Sequence, residues 1–161
     1  MVKGQIMIIC GEGKGKTSAA IGRGITGASN GKSVIIIRFL KGKVKEKDEF
    51  IKRLEPDIKV FSFEKWDVDY QSLSPEQQAE EAVNIRNGLN FARKVMTTDG
   101  CDLLILDEVL GLVDREIITE EELKALVETK DESMELVLTG INMCESLYPY
   151  ADDVVKIDTL K

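Results

Sequence analysis

An apolar run, Ile6 to Cys10, breaks into Gly11-Glu12-Gly13-Lys14-Gly15-Lys16-Thr17, and a helical pattern begins at Lys16. Strand, glycine-rich turn and helix in that order constrain the fold more than any other stretch, because they are the context a phosphate-binding loop needs. Glycines let the backbone turn tightly and aim several N–H groups at one anion. The helix N-terminus adds unpaired donors and the positive end of its dipole. On this reading Lys16 supplies a point charge for the terminal phosphates, and the Thr17 hydroxyl is placed to hold Mg²⁺. The usual spacing opens with a glycine where this chain has Cys10. A lysine- and glycine-rich turn with no ligand is the plain alternative, and the strand before and helix after argue against it.

The rest of the chain repeats the alternation. The first helix is expected over Lys16 to Ser29, with Ala19, Ala20, Arg23, Gly24 and Gly27 on a face of mostly small residues, and Asn30-Gly31 as its stop. Ser33 to Phe39 reads as a strand buried on both faces, since Val34-Ile35-Ile36-Ile37 is a continuous β-branched run. A basic stretch, Leu40 to Phe50, reads as a solvated loop over Lys43 to Lys47, with a short helix near Asp48 to Leu54. Strands follow at Ile58 to Ser62, Leu103 to Glu108, Glu135 to Leu138 and Asp153 to Ile157.

Between them, Phe63 to Leu73 reads as irregular and holds Trp66, the only tryptophan. A long helix opens at Ser74-Pro75 with Gln77 completing a capping box, and Ala79, Ala82, Ile85, Leu89, Ala92 and Met96 form its inner stripe. Thr119 and Glu122 read as a second capping box, and Met143 to Pro149 as a short helix. The expected fold is α/β: one parallel sheet of about six strands with helices on both faces and right-handed crossovers. A single RecA-like P-loop nucleotide-binding domain over residues 1–161 accommodates all of it.

Composition removes several function classes. The formal net charge of −7 argues against non-specific nucleic-acid binding, which needs a basic surface. The absence of histidine removes histidine acid–base catalysis and histidine metal ligation. Cys10, Cys101 and Cys144 are sparse and lack metal-ligand spacing, which fits a reducing cytosol. No signal peptide precedes Ile6 and no apolar run is long enough to span a bilayer, so a cytoplasmic protein is expected.

Leu103 to Leu106 ends in Asp107-Glu108. Many buried strands end in acids, but paired with the loop about ninety residues earlier this one acquires a function. A carboxylate at the carboxyl end of a neighbouring strand faces the phosphates and holds Mg²⁺, directly or through water. Asp107 is assigned that part. Glu108 is left to orient a metal ligand, a water or a substrate group. Ligands of open α/β sheets bind beyond the strands' carboxyl ends, which adds Phe39, Lys41, Thr139 and Gly140 to the rim.

With these motifs in place the sequence resembles the P-loop corrinoid adenosyltransferases over nearly its whole length. The most specific piece is Gly11 to Ala20, Gly-Glu-Gly-Lys-Gly-Lys-Thr-Ser-Ala-Ala, whose family counterpart also lacks the first glycine. Arg38 to Gly42, Leu106-Asp107-Glu108, Thr139-Gly140 and Ala151-Asp152 match further. The resemblance implies that ATP and a corrinoid are the substrates, that Mg²⁺ assists, and that Co(I) attacks the 5′ carbon of ATP with loss of the triphosphate. It implies nucleotide contacts from Gly11, Glu12, Gly13, Lys14, Gly15, Lys16, Thr17, Ser18, Arg23, Phe39, Lys41, Thr139 and Gly140. Lys16, Glu108 and Trp66 become the catalytic residues, with Trp66 packing against the corrinoid, and Thr17, Asp107 and Glu108 the metal set. A reductase partner and a homodimer are compatible with it.

The chain departs from the family where Ile141 follows Thr139-Gly140 in place of an arginine, where Thr26 stands for another arginine, and where Phe63 is displaced by one position from the aromatic pair with Trp66. Two alternatives stand beside the transferase: an ATP-binding relative that acts as a binding or regulatory module, and another small P-loop kinase or ATPase.

Overall fold

The computed structural model describes the backbone of residues 3–40 and 45–161, and the side chains of residues 3–40 and 49–161. Six parallel strands, β1 (Ile6–Cys10), β2 (Val34–Arg38), β3 (Ile58–Ser62), β4 (Leu103–Asp107), β5 (Glu135–Thr139) and β6 (Asp153–Lys156), form one sheet. Their order is β3-β2-β4-β5-β1-β6, so β5 lies between the strand leading into the loop and the strand ending in Asp107.

Both faces are covered, and the strand alternation sorts side chains between them. Met7, Ile9, Val34, Ile36, Leu103, Ile105 and Val137 pack with Ala20 of α1 (Lys16–Ser29). Ile6, Ile8, Ile37, Leu104, Leu106, Leu136 and Leu138 form the opposite core. That core includes Ile85, Ala92 and Met96 of α3 (Pro75–Thr97), Leu110 and Leu112 of α4 (Leu110–Asp114), and Leu123 and Leu126 of α5 (Glu120–Glu128). Gly24 and Gly27 let α1 lie close: a Cβ at either would meet Ile105 or Leu103 side chains at 3.3 and 3.2 Å.

The local signals mostly operate as expected. The Ser74 hydroxyl accepts the Gln77 N–H at 3.2 Å while the Gln77 side chain accepts the Ser74 N–H at 3.0 Å. At Thr119 only half of the box is described, the hydroxyl accepting Glu122 N–H at 3.1 Å. Three expectations differ. The helix after β2, α2 (Lys45–Lys52), starts three residues earlier than Asp48, so Lys45 to Lys47 are helical and not loop. Ala79 is exposed and Glu81 takes an inner position on α3, at 3% exposure. Residues Glu145–Tyr150 form a 3-10 turn where an ordinary short helix was expected. Among the described residues no helix is long and apolar enough to cross a membrane.

Candidate functional site

The loop between β1 and α1 is held at several points. Gly11 N–H donates to Ile141 O at 2.8 Å and Gly13 N–H to Ile157 O at 2.9 Å. Lys14 N–H donates to the Thr159 hydroxyl at 3.0 Å. The segment after β6 therefore runs along the loop, and the glycines are what let it approach. A Cβ on Gly13 would lie 2.5 Å from Ile157 O, and one on Gly11, whose φ is +111°, 2.4 Å from the same atom. Gly15, at φ +105°, takes the left-handed turn that starts α1.

Gly13→Ala is accordingly expected to lower stability by about 1–3 kcal/mol and to weaken nucleotide binding. Gly22→Ala, on the exposed face of α1 with nothing within 4 Å of its Cβ, is expected to raise stability by about 0.5–1 kcal/mol. Thermal unfolding of the two variants side by side reads the contrast.

Three oxygen-bearing side chains meet at the mouth of the loop. Asp107 shares the α1 face with Leu103 and Ile105, and Thr139 shares it with Val137. The Thr17 hydroxyl, in the first turn of α1, lies 3.2 Å from each carboxylate oxygen of Asp107. The Thr139 hydroxyl donates to Asp107 at 2.7 Å and accepts the Glu108 N–H at 2.7 Å, which fixes its rotor. Asp107 and Thr139 are almost wholly buried. Arg38, the register partner of Asp107 on β2, is buried beside this cluster. The Lys16 ammonium curls back to donate to Gly13 O at 2.9 Å, which keeps its charge over the loop.

Hard oxygen donors, one of them a carboxylate, at the end of a phosphate-type loop fit Mg²⁺, which is usually held by one or two protein oxygens together with phosphates and water. Glu108 adjoins the cluster with a left-handed backbone, φ +66°, that turns the chain from β4 toward α4.

The remaining expected residues divide. Glu12, Lys14 and Ser18 are exposed on the loop and the helix start. Gly140 adjoins the loop, but its lack of a side chain serves packing: a Cβ there would meet Leu110 Cβ at 2.3 Å. Phe39 is not brought to the site, because it lies 1% exposed in the core beneath α3, within 3.0 Å of the Cβ position of Gly88. Arg23 is exposed two turns along α1, lining a groove with Met7 and Val137. Lys41 lies outside the described residues. Ile141 is exposed, and its backbone O receives Gly11 N–H. Trp66 is half-buried in the segment after β3. Four strand spacings separate β3 from β1, about 19 Å, with Asp107-Glu108 on β4 midway.

Sequence reasoning missed the carboxylates beneath that segment. Glu64 is 6% exposed and its Oε1 accepts the Leu40 N–H at 2.5 Å. Burial pushes its carboxyl up to about 7, the hydrogen bond from Leu40 opposing this and the neighbouring Glu81 charge adding to it. An ordinary carboxylate of 4.5 in the unfolded chain binds its proton less tightly. Stability therefore falls as pH rises from about 4.5 to about 7 and is flat above. Glu64→Gln keeps an acceptor for Leu40 and removes the charge. It is expected to stabilise the protein at pH 8 by up to about 3 kcal/mol relative to its effect at pH 5, read as melting temperature against pH for both proteins.

The profile described as "ATP:corrinoid adenosyltransferase BtuR/CobO/CobP" matches residues 2–161. The corrinoid adenosyltransferase of Escherichia coli K12 is 23% identical over 159 residues, covering 99% of this chain and 79% of that protein. Corrinoid adenosyltransferase CobA of Salmonella typhimurium is 22% identical with the same coverage. Among solved structures, the KaiC-like protein PH0186 of Pyrococcus horikoshii superposes with a TM-score of 0.58 at 18% identity, over 98% of this chain and 74% of that one, a likeness of fold.

Proposed function

The chain belongs to the ATP:corrinoid adenosyltransferase family, enzymes that adenosylate corrinoids with ATP, and from that premise we propose how residues 1–161, as one nucleotide-binding domain, perform the transfer. The observation that carries the proposal is the Thr17–Asp107–Thr139 cluster at the mouth of the loop. It supplies the oxygen ligands that the cation on a nucleotide's phosphates requires.

The triphosphate lies along Gly11 to Ser18, with backbone N–H groups and the Lys14 and Lys16 ammonium groups around it. Thr17 and Asp107, with Glu108 nearby, would hold Mg²⁺, which when bound would neutralise charge on the phosphates. Thr139 holds the Asp107 carboxylate in place. Arg23 on α1 and Gly140 after β5 support the nucleotide half without touching the phosphates. The corrinoid sits toward β2 and β3 with Trp66 against it.

In the reaction Co(I) of the substrate donates its electron pair to the 5′ carbon. The bond from that carbon to its oxygen breaks, and the pair leaves with the triphosphate, all three phosphates still joined. The nucleophile is the substrate's own metal, so the chain needs no histidine or serine nucleophile. Its work is to align two bound reactants and to stabilise a highly charged leaving group. Co(I) has to be generated by an electron donor, which makes a reductase a partner in the proposal.

A second reading, an ATP-binding relative without transfer, is favoured by Ile141 standing where the family has an arginine. Anaerobic incubation with ATP, Mg²⁺ and chemically reduced cobalamin separates them. The transferase produces the spectral change of cobalt–carbon bond formation only when ATP is present. Tight ATP binding with no such change favours the second reading.

A further inference from the structure

The segment Phe63 to Trp66 leaves the sheet at the end of β3, an edge strand, and two of its N–H groups find their acceptors outside the sheet. Glu81 supplies them from beneath. Its Oε1 accepts the Lys65 N–H at 2.9 Å and its Oε2 the Trp66 N–H at 3.0 Å. The Asn84 side-chain amide, three residues along α3, donates to Oε1 at 2.8 Å and orients the carboxylate.

An acid on that face is out of pattern. The other inner positions of α3 are Ile85, Gly88, Ala92, Val95 and Met96, and an apolar residue at 81 would avoid the desolvation an acid suffers there. A carboxylate contributes what no apolar side chain has, two acceptors at fixed spacing that match two consecutive amides turned the same way. The bonds end at the backbone, so the indole is left half-buried, with the Lys65 ammonium 4.9 Å from its ring centroid.

We propose that Glu81, oriented by Asn84, is a positioning residue for the adenosyl transfer, clamping the Lys65–Trp66 backbone so that the indole is presented to the corrinoid. This rests on the reading of Trp66 as the corrinoid contact. Glu81 itself touches neither substrate, and the nucleotide half of the site, four strands away, is independent of it.

Trp66 is the only tryptophan, so intrinsic fluorescence reports the clamp directly, without substrate. Glu81→Gln keeps one acceptor and turns an NH₂ against the second N–H. It is expected to shift the Trp66 emission and raise its acrylamide quenching. ATP affinity should stay within about twofold, while kcat/KM for the corrinoid drops ~10-fold, as misplacement by a fraction of an ångström does to aligned groups. Glu81→Asp, which retains both acceptors, should recover part of the loss. If Glu81→Gln does not fold, Asn84→Ala, which removes only the orienting bond, should give the same changes in smaller measure.

The double variant Glu81→Gln/Trp66→Ala should be no worse toward the corrinoid than Trp66→Ala alone. Unchanged fluorescence in Glu81→Gln, or losses that add in the double variant, would overturn the clamp. If Trp66→Ala alone leaves the corrinoid kinetics untouched, the fault lies in the corrinoid contact, and the fluorescence of Glu81→Gln still tells whether the clamp exists.

Discussion

Replacing Lys16 with alanine is expected to reduce ATP affinity by about a hundredfold while leaving the melting temperature nearly unchanged. The bond described for its ammonium is to Gly13 O within the same loop, so the core loses nothing when the side chain is cut back. Toward a triphosphate the same ammonium makes charge-assisted hydrogen bonds worth about 1.5–3 kcal/mol, and about 1.4 kcal/mol is a factor of ten. Calorimetric titration of ATP into both proteins measures it. Equal affinities would mean that phosphates do not bind at this loop.

The second large effect is at Asp107. Asp107→Asn preserves the volume of a side chain that is 1% exposed but removes its charge and puts an NH₂ where Thr17 and Thr139 find carboxylate oxygens. Turnover is expected to fall by about 10²–10³, the size of loss seen when one electrostatic stabiliser is removed from an active site, and half-saturation should move to higher Mg²⁺ concentration. Initial rates across a Mg²⁺ series test both. A parent-like Mg²⁺ response in the variant would place the cation elsewhere.

The Thr17–Asp107–Thr139 cluster was legible in the chain because its signals are local. Gly11 to Thr17 needs a strand before and a helix after, and both are written in neighbouring residues. Asp107 and Thr139 could be read because apolar strands that stop at a polar residue advertise their ends. The strand bounds came through within a residue or two for the same reason.

What was not legible depends on the third dimension. Phe39 and Arg38 are adjacent at one strand end, and in a sheet covered on both faces apolar content does not reveal which face each takes. The backbone alternation sends Arg38 toward Asp107 and Phe39 into the core under α3. Arg23 follows Lys16 by seven residues and so shares its helical stripe, yet it lies about 10 Å farther along the axis. Glu81 is not among the apolar positions that helical spacing marks on α3. Its burial follows from two N–H groups in a loop that folds back onto α3, which no periodicity encodes. The start of α2 was missed because Lys45-Glu46-Lys47 has no apolar spacing to mark a helix.

If Co(I) attacks as proposed, the bond broken in ATP is the one from the 5′ carbon to oxygen, and the phosphate product reads that bond directly. Chromatography of a reaction containing ATP, Mg²⁺ and reduced corrinoid should show inorganic triphosphate appearing in step with adenosylated corrinoid. ADP and free phosphate forming whether or not corrinoid is present would contradict it, since those products require cleavage at phosphorus.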